Sequence, residues 1–186
     1  GGGGRMDYEM LKYFTEFWCS DDTDPYERIY IQWGLSKFFP AKTMSSHVTN
    51  WNRNTSVKFR TDVCSSCKLG FDIDLKSLSA EEYQFVKQAV SNYDLMKPVI
   101  FDGDLYRLVS PYEGNHCAIN YVSKDQQRAV LFAFDLHPRY MEPLTNVRLQ
   151  GLDPDRTYTV RETNLMPGKK SELTCDGKQY SGDYLM

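Results

Sequence analysis

No run of about 18 apolar residues occurs in this chain, which argues against a membrane-spanning helix. An excess of one charge is also missing. Lys and Arg number 22 and Asp and Glu 25, for a formal net charge of −3. That balance argues against a general nucleic-acid partner, which needs a basic surface. Cysteine is scarce and odd in number. Five cysteines with no framework spacing do not pair into a disulfide scaffold, so a reducing compartment such as the cytoplasm is the simpler expectation. Cys64-Ser65-Ser66-Cys67 is a CxxC, but no second Cys or His pair stands at zinc-site spacing and no thioredoxin-like setting surrounds it. The two thiols are expected to be ordinary, with no metal. Internal repeats are absent. So is an initiator Met: the chain opens Gly1-Gly2-Gly3-Gly4-Arg5 and closes Asp183-Tyr184-Leu185-Met186, and we expect a piece of a longer protein, cut at both ends.

What is present indicates a folded chain. Its 186 residues suffice for one or two domains, with 41% hydrophobic and 14% aromatic content. The abundant Tyr suits carbohydrate stacking and equally suits an ordinary core. Along the chain, a short strand is expected at Phe17–Ser20. A helix follows from Pro25 to Phe39, where Tyr26, Ile29, Tyr30 and Trp33 fall at helical spacing and Pro40 stops the run. Lys42–Thr49 has the pattern of a strand ending near His47, and Ser56–Cys64 that of a helix. Leu69, Phe71, Ile73 and Leu75 alternate as in a strand, which would put Asp72 and Asp74 on one face. Ser79 and Glu82 form a capping box for a helix running to about Lys97. This strand–helix alternation is the signature of a parallel sheet with helical crossovers. After Pro98 the pattern changes to successive strands, clearest at Ala118–Val122, Ala129–Phe134, Val147–Leu149 and Thr157–Glu162. Turn signals separate them, and the unbroken apolar run Val130–Phe134 suggests a central strand.

The stretch with most chemistry is Phe17-Trp18-Cys19-Ser20-Asp21-Asp22-Thr23-Asp24-Pro25, an apolar-aromatic strand followed by three carboxylates in four positions. Asp24, Pro25 and Glu27 satisfy a capping box with Pro at the first helical position, so Asp24 is assigned to capping. Asp22 is expected to be solvated. Asp21 lies nearest the strand end and is the candidate acid, because loops at the C-terminal ends of barrel strands collect catalytic groups. Acidic loops before helices also arise for capping alone. His47, at a strand end, is a plausible pocket residue, although a lone His is more often structural, and Asp72 and Asp74 are both plausible pocket or surface residues without an assigned role. The glycine run permits backbone N–H groups to approach a bound oxygen.

Taken together, Gly2-Gly3-Gly4-Arg5, Asp7, Met10-Leu11, Trp18, Ser20-Asp21-Asp22-Thr23-Asp24, Glu27-Arg28 and Ile31-Gln32 resemble the family-36 glycoside hydrolases, the α-galactosidases of the melibiase/raffinase type. Ser46-His47-Val48, Gly70–Leu75 and Gly103–Leu108 look like later landmarks of the same family. The resemblance implies an α/β plus all-β fold: the C-terminal part of a (β/α)8 TIM barrel over residues 1–102, then an antiparallel β-sandwich-like domain over 103–186. It implies hydrolysis of terminal non-reducing α-galactosyl residues in substrates such as raffinose and melibiose, with retention and no cofactor. Asp21 would be the general acid/base, with Gly1, Gly2, Gly3 and Trp18 at the galactosyl unit. The partners would be α-galactoside oligosaccharides, not nucleic acid or membrane, and the parent enzyme a homo-oligomer. Such a reaction needs two carboxyl groups about 5–5.5 Å apart. The family's Lys-x-Asp nucleophile motif is missing here, as are the Cys before its glycines and the first half of its barrel, and Cys19 replaces a small residue or Thr. The chain is therefore expected to hold only the acid/base half of a site and to be inactive alone. The competing expectations are a non-catalytic carbohydrate-binding or structural β-module, or an inactive homologue.

Overall fold

A computed structural model describes residues 6–51, 55–142 and 146–186. The chain divides into two compact units, residues 1–86 and 87–186. The division falls inside a helix.

The first unit alternates strands and helices. Strand β1 (Phe17–Trp18) leads to α1 (Pro25–Leu35), β2 (Met44–Val48) to α2 (Val57–Ser65), and β3 (Lys68–Phe71) to α3 (Ala80–Asp102). The strands form one parallel sheet in the order β1-β2-β3, with Trp18 opposite Ser45 and His47 opposite Gly70. Strand β2 is central and almost wholly buried, with Met44 and Val48 fully covered. Cys19, Phe39, Met44 and Cys67 make one core cluster, with Leu11, Phe17, Ile31 and Leu35 packed against it.

The helix starts follow the local chemistry. Asp24 caps α1, its Oδ1 accepting from the Tyr26 and Glu27 N–H groups at 3.0 and 3.3 Å, with Pro25 at the first helical position. The Asp24 N–H itself donates to Asp22 Oδ1 at 3.0 Å, so Asp22, exposed as expected, also takes part in the cap. Ser56 caps α2, and Ser79 and Glu82 exchange both bonds of a capping box ahead of α3.

Two expectations in this stretch are corrected. Strand β3 ends at Phe71 rather than Leu75, because Asp74 accepts from the Lys76 N–H and starts a 3-10 turn over Leu75–Ser77. Asp72 and Asp74 therefore do not share a strand face. Helix α3 passes through Pro98 and runs on to Asp102, a proline being tolerable where the missing N–H and the ring can be accommodated in the last turns.

The second unit carries an antiparallel sheet of β4 (Asp104–Val109), β5 (His116–Val122) and β6 (Ala129–Asp135), in that order. Gly103 joins helix to strand where only glycine fits: a Cβ there would lie 2.4 Å from the Val99 carbonyl oxygen and 2.5 Å from that of Val122. Strand β5 is the central, buried one. The apolar run in β6 lies at the sheet edge, with Leu131 exposed and Phe132 buried, so the expectation of a central strand there is corrected. A two-stranded antiparallel pair follows, β7 (Thr157–Thr159) with β8 (Gln179–Ser181), then a short helix α4 (Gly182–Leu185). Val147–Leu149, expected as a strand, is irregular, and the Leu149 N–H donates to the Leu185 carbonyl. No helix among the described residues is long and apolar enough to cross a membrane.

Candidate active site

The parallel strands of the first unit end on one side, and the segments leaving them carry the polar groups. Asp21 leaves β1, His47 sits at the end of β2, and Asp72 follows β3. Together with Trp18, Thr23 and Trp51 they line an open cavity of about 390 Å³. Asp21 and Asp72 are exposed, and His47 and Trp18 are half-buried.

The loop between β1 and α1 is held by its own side chains. Ser20 Oγ accepts from the Asp22 N–H at 3.1 Å, and Asp22 and Asp24 close the helix cap. Thr23 Oγ1 shares a 2.8 Å hydrogen bond with Thr49 Oγ1, joining this loop to the end of β2. Trp18 Nε1 donates to Asp21 Oδ1 at 2.9 Å, so the candidate acid is tied to the last residue of β1.

A polar layer lies beneath. Arg28 on α1 has no exposed surface, and its guanidinium donates to the Ser20 carbonyl at 3.3 Å and the Ser45 carbonyl at 2.9 Å. These two carbonyls belong to β2 and to the loop after β1, so one buried cation links them. Its Cζ lies 5.5 Å from the Trp18 ring centroid, within range of a cation–π contact. Gln32, one turn on, accepts from Ser46 Oγ and donates to Ser66 Oγ and the Val63 carbonyl, joining α1, β2 and α2. At the edge, the Lys68 ammonium and then the Ser45 hydroxyl hold Glu16 below the usual carboxylate range.

Cys64 and Cys67 are both buried. Burial pushes the Cys64 thiol up to about 11 and Cys67 higher still, so neither is a reactive thiolate near neutral pH. Burial likewise pushes Cys19 up to about 11, against the opposing pull of Arg28. Among the described residues no group of three or more His, Cys, Asp or Glu side chains is arranged to hold a metal ion.

The structure thus brings Asp21 and Trp18 into one cavity, with His47 and Asp72 beside them. Gly1, Gly2 and Gly3 lie outside the described residues. Trp51 was missed by sequence reasoning. It sits in the segment leaving β2 with 58% of its surface exposed. A large aromatic four residues past a strand-terminal His was the available signal. Thr23 was missed as a lining residue because it is embedded in a capping sequence.

The family model described as melibiase matches residues 1–103, and that of the glycosyl hydrolase family 36 C-terminal domain matches residues 116–186. The probable alpha-galactosidase G of Aspergillus terreus is 38% identical to this chain, across 97% of this chain and 25% of its own length. The crystal structure of the family-36 alpha-galactosidase AgaA from Geobacillus stearothermophilus matches 99% of this chain and 24% of that one, with 34% identity and a TM-score of 0.87. A variant of AgaA solved in complex with raffinose matches 98% of this chain and 24% of its own, with 34% identity and a TM-score of 0.86. The chain spans about a quarter of the length of the curated relatives it matches.

Proposed function

This chain belongs to the melibiase family, glycoside hydrolase family 36, and from that premise we propose that it supplies the acid/base half of an α-galactosidase active site, with Asp21 as the general acid/base. The supporting observation is the position of the Asp21 carboxylate. It lines a cavity at the C-terminal ends of three parallel strands and accepts from Trp18 beside it. That is where a (β/α)8 barrel concentrates its catalytic groups. On this reading residues 1–102 are the C-terminal part of such a barrel and residues 103–186 an antiparallel β-sandwich-like domain. The change from α3 to β4 across Gly103 supports that boundary.

The chemistry needs no cofactor. Asp21 gives a proton to the glycosidic oxygen as its bond to the anomeric carbon breaks, while a second carboxylate attacks that carbon. Asp21, now ionised, takes a proton from the water that releases galactose, so the configuration is retained. The second carboxylate belongs, on this proposal, to an earlier barrel strand outside this chain, and these residues alone are inactive. Asp72 is suited to accept hydrogen bonds from sugar hydroxyls. Exposed Trp51 is suited to cover an apolar sugar face. Gly1, Gly2 and Gly3 would bring backbone N–H groups to the galactosyl unit. On this proposal the substrates are α-galactoside oligosaccharides such as raffinose and melibiose, the partners are neither nucleic acid nor membrane, and the parent enzyme is a homo-oligomer.

The test uses the full-length protein. Proton NMR should show galactose released from raffinose or melibiose first as the α-anomer, and Asp21→Asn should slow that release by about 10²–10⁴-fold. Absence of galactose release by the wild-type protein, or an Asp21→Asn variant at the wild-type rate, would refute the proposal.

A further inference from the structure

Behind Asp21 stands a series of contacts that the acid/base role alone does not require. Indole has a single N–H donor, and that of Trp18 goes to Asp21 Oδ1 at 2.9 Å. While that bond stands, the donor is not available to a sugar hydroxyl. The indole meets the His47 imidazole edge-on, with ring centroids 4.7 Å apart and planes at 60°. His47 in turn lies across its register partner on the next strand. A Cβ on Gly70 would come within 2.3 Å of His47 Cδ2 and 2.5 Å of Nε2, so the imidazole occupies the space that any larger residue at 70 would take. Gly70 seats His47, His47 abuts Trp18, and Trp18 holds Asp21.

We propose that Trp18 and His47 are positioning residues for Asp21: His47, seated over Gly70, sets the indole of Trp18, and the indole N–H fixes the rotation of the Asp21 carboxylate. The inference rests on the reading of Asp21 as the acid/base. It also changes the role of Trp18 from a sugar contact to a holder of the acid. Asp21 is exposed and sits in a loop, so without a tether its carboxylate would sample many rotamers. A general acid must present its proton within hydrogen-bond reach of the departing oxygen, and misorientation costs rate. With Oδ1 engaged by the indole, Oδ2 is the oxygen that carries the proton. It delivers the proton to the glycosidic oxygen in the first step and takes one from water in the second.

Trp18→Phe in the full-length enzyme tests this, because it keeps a ring against His47 and deletes the N–H. On raffinose, whose leaving oxygen needs a proton, kcat should fall about 10–100-fold. KM should stay within about 3-fold, since only the acid's orientation is lost. The first step on an aryl α-galactoside with an acidic phenol, read as the burst of released phenol, should lose far less, because that leaving group needs no proton. Gly70→Ala should act in the same direction by displacing His47. Combining it with His47→Ala removes the clash, so the double variant should be no slower than His47→Ala alone. A raised KM with unchanged kcat would make Trp18 a sugar contact and overturn the proposal. So would equal losses in the first step on both substrates, wild-type behaviour of Trp18→Phe, or a double variant slower than His47→Ala. Wild-type and Asp21→Ala controls separate the two readings. A wild type that cleaves neither substrate defeats the α-galactosidase reading itself, and an Asp21→Ala variant that cleaves raffinose normally defeats the assignment of Asp21 as its acid/base. An intact control pair with an unaffected Trp18→Phe defeats only the positioning role.

Discussion

Buried polar side chains are unevenly divided between the two units. Among the described residues eleven lie between Thr23 and Ser66, and in the second unit only Asn120 and Asn164 are buried. The first unit uses its polar groups beneath the strand ends: Arg28 links the Ser20 and Ser45 carbonyls, Gln32 links Ser46 to Ser66, and Thr23 meets Thr49. Buried polar groups cost stability unless they are satisfied, and satisfied networks fix geometry. The second unit relies instead on the apolar strand β5, and its polar turn groups stay at the surface, as where Asp125 accepts from Ser123 and the Gln127 N–H. The contrast teaches that the shaping of loops by buried hydrogen bonds is concentrated in the unit that holds the candidate site, while in the second unit Asn120 and Asn164 supply it.

The sharpest way to break this comparison is Arg28→Ala. Two hydrogen bonds from a buried cation are lost, for about 3–6 kcal/mol. Hydrogen exchange should accelerate in α1 and β2 and leave β5 unchanged. Wild-type protection of α1 in this variant would show that the polar layer holds nothing. The matching change in the second unit is Asn120→Ala. Asn120 donates to the Gln150 carbonyl at 3.0 Å while its Oδ1 has no partner, so the loss should be smaller, about 1–3 kcal/mol, and appear in β5 exchange. An Asn120→Ala effect larger than that of Arg28→Ala would reverse the contrast.

Asp24→Ala removes a helix cap and should cost about 0.5–2 kcal/mol, read as faster exchange in the first turn of α1. The smallest effect is expected at Glu16. Its folded pKa is depressed, first by Lys68, so its contribution is present above the unfolded value of about 4.3 and disappears as pH falls through the lower folded value. The pair is substantially exposed, so the difference between wild type and Glu16→Gln in urea denaturation should stay under about 1 kcal/mol at pH 7 and shrink as the pH is taken below the unfolded value. A difference that persisted at low pH would mean that packing, not charge, is lost.

Legibility in the sequence followed the range of the interactions. Caps are local, so Asp24, and Ser79 with Glu82, marked two helix starts directly, and the change from alternating elements to successive strands marked the switch of fold type. Sheet neighbours are not local. The run Val130–Phe134 is equally apolar for a central or an edge strand, and only pairing with β5 alone puts it at the edge. The alternation from Leu69 to Leu75 was genuine, but the Asp74 turn ended the strand early. The burial of Arg28 and Gln32 was not legible, because their partners lie on β2 and α2. The acidic loop picked out Asp21 for its nearness to a strand end. The cavity's other walls, His47, Trp51 and Asp72, become neighbours only when three strands align.

The central claim is that Asp21 alone among the three carboxylates of its loop is the acid/base. It is tested most directly by Asp21→Ala in the full-length enzyme, assayed on raffinose and on an activated aryl α-galactoside with and without azide. The account predicts that raffinose hydrolysis is nearly abolished while the first step on the aryl substrate is largely kept. Azide should then restore turnover by attacking the galactosyl-enzyme in place of the water that Asp21 no longer activates, and galactosyl azide should accumulate. Asp22→Ala and Asp24→Ala should not show this pattern. Equal slowing of both substrates by Asp21→Ala, with no azide product, would contradict it.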